Sequence, residues 1–299
     1  SGHVRVYQNI SGTWTQIGAD IDGEGAGDNS GSCVSINAAG DRVVFGTAPY
    51  NDTRIFEYNG STWIPLGTGI SRSVTSVSMN AEGNIVAIGD HIDSTGGSFS
   101  GITHIYEYID STWVQLGASI IGSSSDRYGR SVSLNAAGNR VAIGASSNDD
   151  GAGNGGETKF FEYDGSTWVQ YGMDINGDDW YDYAGWSVSM NAAGDRVAIG
   201  AIELSVGGHY GDGPGYTQIY STTPVPTYTL ESTASVVNEG QVLTISLLTE
   251  NVNTGTVVPY TITGVTSDDI DGAPLTGNFV VSETGDFPYS FPVPLGTSG

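Results

Sequence analysis

Carboxylates and aromatic rings are the side chains of this chain whose spacing could support chemistry. The stretch Asp20-Ile-Asp22-Gly-Glu24-Gly-Ala-Gly-Asp28 sets oxygen ligands two residues apart in a glycine-rich segment. Hard cations such as calcium take about six to eight oxygens, and a flexible acidic loop can wrap around one. Asp174-Ile-Asn176-Gly-Asp178-Asp179 repeats the pattern, whereas Ser119-Ile-Ile-Gly-Ser-Ser-Ser-Asp126 lacks it. Two readings stand side by side: a calcium ion held by Asp20, Asp22, Asp28, Asp174 and Asp178, or loop acids facing water. A second cluster, Trp180-Tyr181-Asp182-Tyr183-Ala-Gly-Trp186, follows Asp179 directly, and Tyr210 lies in the next long loop. Exposed rings stack on sugar faces while neighbouring carboxylates accept hydrogen bonds from hydroxyls. Trp180, Tyr181, Tyr183, Tyr210, Asp179 and Asp182 are therefore a candidate ligand-binding set for glycan or protein. The competing reading packs the same rings against a neighbouring structural unit.

Other chemistries find little support. His3, His91, His104 and His209 are scattered, and no His-x-x-x-His or Glu-x-x-His pair exists to build a catalytic metal site. His104 aligns with Arg54 and Lys159, so it reads as a variable polar residue on a strand face. Cys33 stands where the other copies of a repeat have Ser76, Ser131 and Ser187, and one cysteine excludes an internal disulfide framework. Gly23-Glu-Gly-Ala-Gly has no helix behind it to receive a phosphate. A glycosidase would need two carboxylates at a fixed separation across a pocket, which sequence does not display. The net charge of −24, from 33 acidic and 9 basic residues, repels nucleic acid and anionic membrane surfaces. No apolar run approaches the roughly 20 residues of a membrane span. The expectation is a non-enzymatic protein.

The elements that must position these residues are set by a repeat. Ser-Thr-Trp or Gly-Thr-Trp followed by an apolar run recurs around Trp14, Trp63, Trp113 and Trp168, at spacings of 49, 50 and 55 residues. Between them an Asn-Ala-x-Gly phrase recurs at Asn37, Asn80, Asn135 and Asn191, followed by runs such as Arg140-Val-Ala-Ile-Gly. A third phrase, such as Lys159-Phe-Phe-Glu-Tyr, precedes each tryptophan, and Thr217-Gln-Ile-Tyr begins a fifth copy. Each unit thus supplies four short runs rich in Val, Ile, Tyr, Phe and Trp, separated by Gly, Asn, Asp or Ser. That pattern predicts four-stranded β-propeller-like blades; a β-solenoid is the runner-up. The four repeat tryptophans are expected in the core. Because the first residues fall inside the repeat, residue 1 reads as a cut through a longer array; the alternative is that the N-terminal strand pair completes the last blade and closes a small ring. The 45 glycines follow from two or more turns per blade.

Asp126-Arg-Tyr-Gly-Arg-Ser-Val-Ser together with Arg140-Val-Ala-Ile-Gly-Ala resembles the FG-GAP class of propeller repeats, over about residues 1–220. The calcium loop of integrin-type members is replaced here by Asn-Ala-Ala-Gly, so that function does not carry over to this loop. Residues 221–227 are a proline-punctuated linker, and residues 228–299 resemble a Calx-β or immunoglobulin-like β-sandwich module through Asn238-Glu-Gly and Asp268-Asp269-Ile-Asp271-Gly. The resemblance implies calcium ligands at Glu239, Asp268, Asp269 and Asp271. Phe287-Pro-Tyr-Ser-Phe-Pro-Val-Pro-Leu does not supply that family's final strands. The fold class expected is all-β: blades of four antiparallel strands followed by a β-sandwich. The resemblance to structural and surface proteins of marine phages and bacteria implies an extracellular role on a virion. The chain would be a fibre or appendage component touching host-surface carbohydrate, other virion subunits or further copies of itself. A secreted bacterial adhesin and a carbohydrate-active enzyme using loop carboxylates are the alternatives.

Overall fold

The computed structural model describes residues 1–47, 52–149, 153–202, 215–221, 227–232, 242–250, 256–261, 263, 276–281 and 289–294. These residues form β-strands, turns and loops, with no helix among them, and the chain divides into two compact units, Ser1–Thr222 and Thr223–Gly299. The protein is all-β.

In the first unit each repeat becomes an antiparallel sheet. The chain opens with β1 (His3–Val4), β2 (Tyr7–Ile10), β3 (Thr13–Gln16) and β4 (Ile21–Asp22), where β1 pairs with β4 and β2 with β3. Blade 1 is β5 (Val34–Ile36), β6 (Arg42–Thr47), β7 (Asp52–Tyr58) and β8 (Trp63–Pro65), hydrogen-bonded in that order. Blade 2 is β9 (Ser76–Met79), β10 (Ile85–Asp90), β11 (Ile102–Ile109) and β12 (Thr112–Gln115), with β13 (Ile120–Ile121) added to β11. Blade 3 repeats this with β14 (Tyr128–Leu134), β15 (Arg140–Ala145), β16 (Glu157–Tyr163), β17 (Trp168–Gln170) and β18 (Ile175–Asn176). Blade 4 has three strands: β19 (Ser187–Met190), β20 (Arg196–Ala201) and β21 (Tyr216–Ser221).

The Val-Ala-Ile runs of blades 2 and 3 are buried on both faces because each of these blades lies between two others. Val86, Ala87, Ile88, Val141, Ala142 and Ile143 are all fully buried. Successive side chains point to opposite faces, so Val86 and Ile88 join Val44 and Ile55 of blade 1, while Ala87 joins Val132 and Ile143 of blade 3. The repeated phrases also stitch blades together. Ser35, Ser78 and Ser133 accept hydrogen bonds at 2.9–3.0 Å from the N–H groups of Met79, Leu134 and Met190 in the next blade. The Asn-Ala turns form a ladder, Ala38 N–H to Ala81 C=O, Ala81 to Ala136 and Ala136 to Ala192, at 3.0–3.1 Å. Within each turn the asparagine Oδ1 accepts backbone N–H groups four or five residues on, as Asn80 does from Ile85 at 3.0 Å. The glycine closing Val-Ala-Ile-Gly is required by close approach: a Cβ on Gly144 would sit 2.0 Å from the Gly185 carbonyl oxygen.

The tryptophans fasten each unit to the one before it. The indole N–H of Trp63, Trp113 and Trp168 donates to the carbonyls of Ile17, Leu66 and Leu116 at 2.8–2.9 Å. Each ring leans on its own blade's tyrosine, with centroids 5.1–5.4 Å apart. Trp14 departs from the core expectation: it is 69% exposed and belongs to none of the buried clusters. Cys33, in the bend just before β5 and not in the strand itself, is packed beside Gly46 and Val74, and burial raises its thiol pKa.

The second unit contains β22 (Thr227–Ser232), β23 (Val242–Glu250), β24 (Val257–Thr261), β25 (Thr276–Val280) and β26 (Tyr289–Pro294), in the sheets β22-β23-β26 and β24-β25. The segment around Phe287–Leu295 carries one strand: β26 pairs antiparallel with β23 from Val242↔Pro294 to Leu247↔Tyr289. Its prolines are tolerated because it is an edge strand.

Candidate functional site

The connections that enter blades 1, 3 and 4 share one backbone course and differ in side chains. Asp28, Asp126 and Asp182 occupy equivalent positions, are each under 10% exposed, and cap their own loops. Their Oδ2 atoms accept the N–H groups of Glu24, Ser123 and Asp179 at 2.8–2.9 Å. One residue on, Asn29, Arg127 and Tyr183 all hold the left-handed conformation, with φ of 48°, 59° and 54°. Such a conformation costs a non-glycine residue about 1 kcal/mol and is concentrated at functional sites. Here the strain is held by tertiary bonds: Arg127 and Tyr183 N–H donate at 3.1 Å to the carbonyls of Phe99 and Asn154, themselves equivalent positions in successive blades. Three residues beyond that strained position stand Ser32, Arg130 and Trp186.

This geometry builds a cavity of about 450 Å³ from the loops of blades 2 and 3 and the entry to blade 4. His91 and Phe99 line it from blade 2, Arg127, Arg130 and Asn154 from blade 3, and Tyr183 and Trp186 from the entry to blade 4. The Arg130 guanidinium lies 3.8 Å from the centroid of the Trp186 ring, and that of Arg127 lies 5.3 Å from Phe99. Burial, and then the Arg130 and Arg127 charges, press the His91 pKa down and favour its neutral imidazole. A track of rings runs from the cavity to the surface. Trp186–Tyr183, Tyr183–Tyr181 and Tyr181–Trp180 centroids are 6.3–6.5 Å apart, and Trp180 ends the track at 59% exposure.

The structure sorts the sequence-level candidates. Trp180, Tyr181 and Tyr183 come together on this loop face. Asp182 does not offer a carboxylate to a ligand: it is 2% exposed, and the Tyr216 hydroxyl also donates to it at 2.7 Å. Burial, then that bond, push the Tyr216 pKa up. Asp179 contributes its backbone N–H to the same cap. Of the acids expected to share a cation, Asp20, Asp28, Asp174 and Asp178 each have a protein partner. Asp20 forms an ion pair with Arg5 at 2.7 Å and accepts from Gln16 Nε2; these bonds hold its pKa near 2. Asp22 lies in β4 opposite His3, and Asp28 is a loop cap. Asp174 lies 3.4 Å from Lys159 and accepts from Gln170, while Asp178 accepts from Gln218 Nε2 at 3.0 Å. Among the described residues no three His, Cys, Asp or Glu side chains converge as metal ligands would. Tyr210, Glu239, Asp268, Asp269 and Asp271 lie outside the described residues.

No family model matches the chain, and no curated protein sequence does. Solved structures to which it is similar include the β-propeller domain of Cps50 (Swd1) from Myceliophteria thermophila, at 14% identity and TM-score 0.40, over 57% of this chain and 50% of that one. Hydrazine synthase of Kuenenia stuttgartiensis matches at 10% identity and TM-score 0.43, over 77% of this chain and 64% of that one. The chain therefore spans half to about two-thirds of these proteins, and its blade architecture rests on its own strand pairing.

The cavity itself was missed at the level of sequence. Its signal is the substitution pattern at equivalent loop positions, Asn29-Ser-Gly-Ser32, Arg127-Tyr-Gly-Arg130 and Tyr183-Ala-Gly-Trp186, on a conserved backbone course. His104, expected as a variable polar residue on a strand face, is buried, with Nδ1 2.8 Å from the Ser119 hydroxyl.

Proposed function

We propose that this chain is a non-enzymatic recognition and scaffold component of an extracellular assembly. In this reading it is a virion fibre or appendage protein, built of FG-GAP-like blades and a Calx-β-like module. Its loop face contacts host glycans. The observation that carries the reading is the ring track ending at Trp180, held on a strained loop anchored by the buried Asp182 cap. An indole left 59% exposed forgoes hydrophobic stabilisation that folding would otherwise gain. A ligand that stacks on it recovers that free energy. The blade interiors, by contrast, are given over to inter-blade hydrogen bonds and apolar packing, which is what a rigid display scaffold requires.

Binding of the whole chain to an array of neutral and acidic oligosaccharides tests this reading. At least one saccharide should bind, and Trp180→Ala should weaken it about tenfold, the loss of roughly one aromatic contact, without lowering the melting midpoint. Absence of binding across the array, or cleavage of a glycan by the chain, would overturn it.

A further inference from the structure

We infer that the cavity between the loops of blades 2, 3 and 4 binds a saccharide carrying a single anionic group, with Arg127 and Arg130 holding that group. The inference rests on the glycan reading for the sugar and goes beyond it in assigning the charge and the site.

The argument begins with pairing. In a chain of net charge −24, Arg5, Arg42, Arg54 and Arg140 each lie within 3.3 Å of a carboxylate. Among the described residues no carboxylate comes within ion-pair distance of Arg127 or Arg130. The nearby acids are turned to backbone N–H groups instead: Asp90 to Ile92, Asp126 to Ser123 and Asp149 to Asn154. Two half-buried guanidinium groups therefore share a concave site with no counter-charge among the described residues. A bound anion would offset the burial of the Arg130 charge and the repulsion between the two guanidinium groups.

The geometry suits a flat or tetrahedral oxyanion. Stacking on Trp186 uses the face of the Arg130 guanidinium and leaves its in-plane N–H fork free to form paired hydrogen bonds. The Nδ1 atom of His91 is buried in the same cavity without a hydrogen-bond partner, so a ligand atom would complete it. Ser125 and Asn154 supply polar groups for hydroxyls, and Phe99, 47% exposed, and Tyr183 supply apolar surfaces for a ring. The volume of about 450 Å³ falls in the range of small-ligand sites, about 300–1,000 Å³. The overall −24 charge selects against a polyanion: two local arginines can hold one compact charge, whereas an extended acidic polymer would cross repulsive surface.

The test is calorimetric binding of the whole chain to three saccharides of matched length: neutral, carboxylate-bearing and sulfate-bearing. Sodium acetate, sodium sulfate and an acidic peptide serve as further probes. One or both acidic saccharides should bind about tenfold or more tighter than the neutral one. Which of the two binds separates carboxylate from sulfate. Arg127→Gln with Arg130→Gln should abolish the preference, and Arg130→Lys, which keeps the charge but loses the fork, should retain part of it. Melting midpoints of the variants report that the fold is intact. Equal affinity for acidic and neutral saccharides would overturn the inference, as would a preference that survives the double substitution. Binding of the free salts or the acidic peptide as tight as the acidic saccharide would do the same. If neutral saccharides still bind in a Trp180-dependent way, the glycan reading stands while this inference falls; if no saccharide binds, both fall.

Discussion

Replacing one tryptophan of the repeat at a time measures how much the inter-blade clasp contributes. Trp168 is 7% exposed, donates its indole N–H to Leu116 at 2.8 Å and leans on Tyr163 at 5.4 Å. Trp168→Ala should cost about 3–5 kcal/mol, the usual loss for a buried large aromatic, of which the hydrogen bond accounts for about 1 kcal/mol. Trp14 carries the same sequence phrase but is 69% exposed, and Trp14→Ala should cost no more than about 0.5 kcal/mol. A glycine pair gives an independent reading of the same contact. Gly117 and Gly172 both have φ of +72°, so alanine pays the same left-handed penalty of about 1–2 kcal/mol at either. Only at Gly117 would the new Cβ press on a tryptophan, at 3.0 Å from Trp168 Cδ1, so Gly117→Ala should be the more damaging. Urea unfolding followed by far-UV circular dichroism measures each variant, with constant slope confirming that midpoints report stability. Equal losses for Trp14→Ala and Trp168→Ala would refute the clasp.

Two further outcomes follow from buried polar groups. Burial lifts Glu157, 1% exposed in β16, to a pKa of about 7, a shift the Lys159 ammonium 3.2 Å away opposes. The raised carboxyl stabilises the fold fully below its ordinary pKa of 4.5, and that contribution declines as pH rises toward 7, by up to about 3 kcal/mol. Unfolding curves of the parent and Glu157→Gln should therefore diverge in favour of the variant between pH 5 and pH 8; a pH-independent gap would contradict this. Asn135, 4% exposed, accepts from Arg140 N–H at 3.0 Å, so Asn135→Ala strands a buried donor and should cost about 2 kcal/mol. The equivalent Asn191 is exposed, and Asn191→Ala should cost less than half as much by the same urea assay.

By itself, the sequence determined the strand grammar. The Val-Ala-Ile runs, the Asn-Ala-x-Gly turns and the tyrosine–tryptophan pairs specify local conformation, and local conformation is what alternation and turn chemistry encode. The ring cluster from Trp180 to Trp186 was also legible, because it departs from a regular repeat. Side-chain orientation was not legible at Asp28, read as a cation ligand, or at Asp182, read as facing a glycan or protein: spacing looks the same whether an aspartate faces a ligand or bends back to cap its own loop, and burial separates the two. Trp14 shows the same limit from the other side, since it shares a phrase with Trp63 yet is 69% exposed where Trp63 is buried. The arginine cavity was decided by tertiary structure alone. Its residues lie between His91 and Trp186 in the chain, and they meet because successive blades stack equivalent loop positions side by side. A repeat read along one dimension shows which positions vary; stacking in three dimensions decides that those varying side chains face one another across a shared cavity.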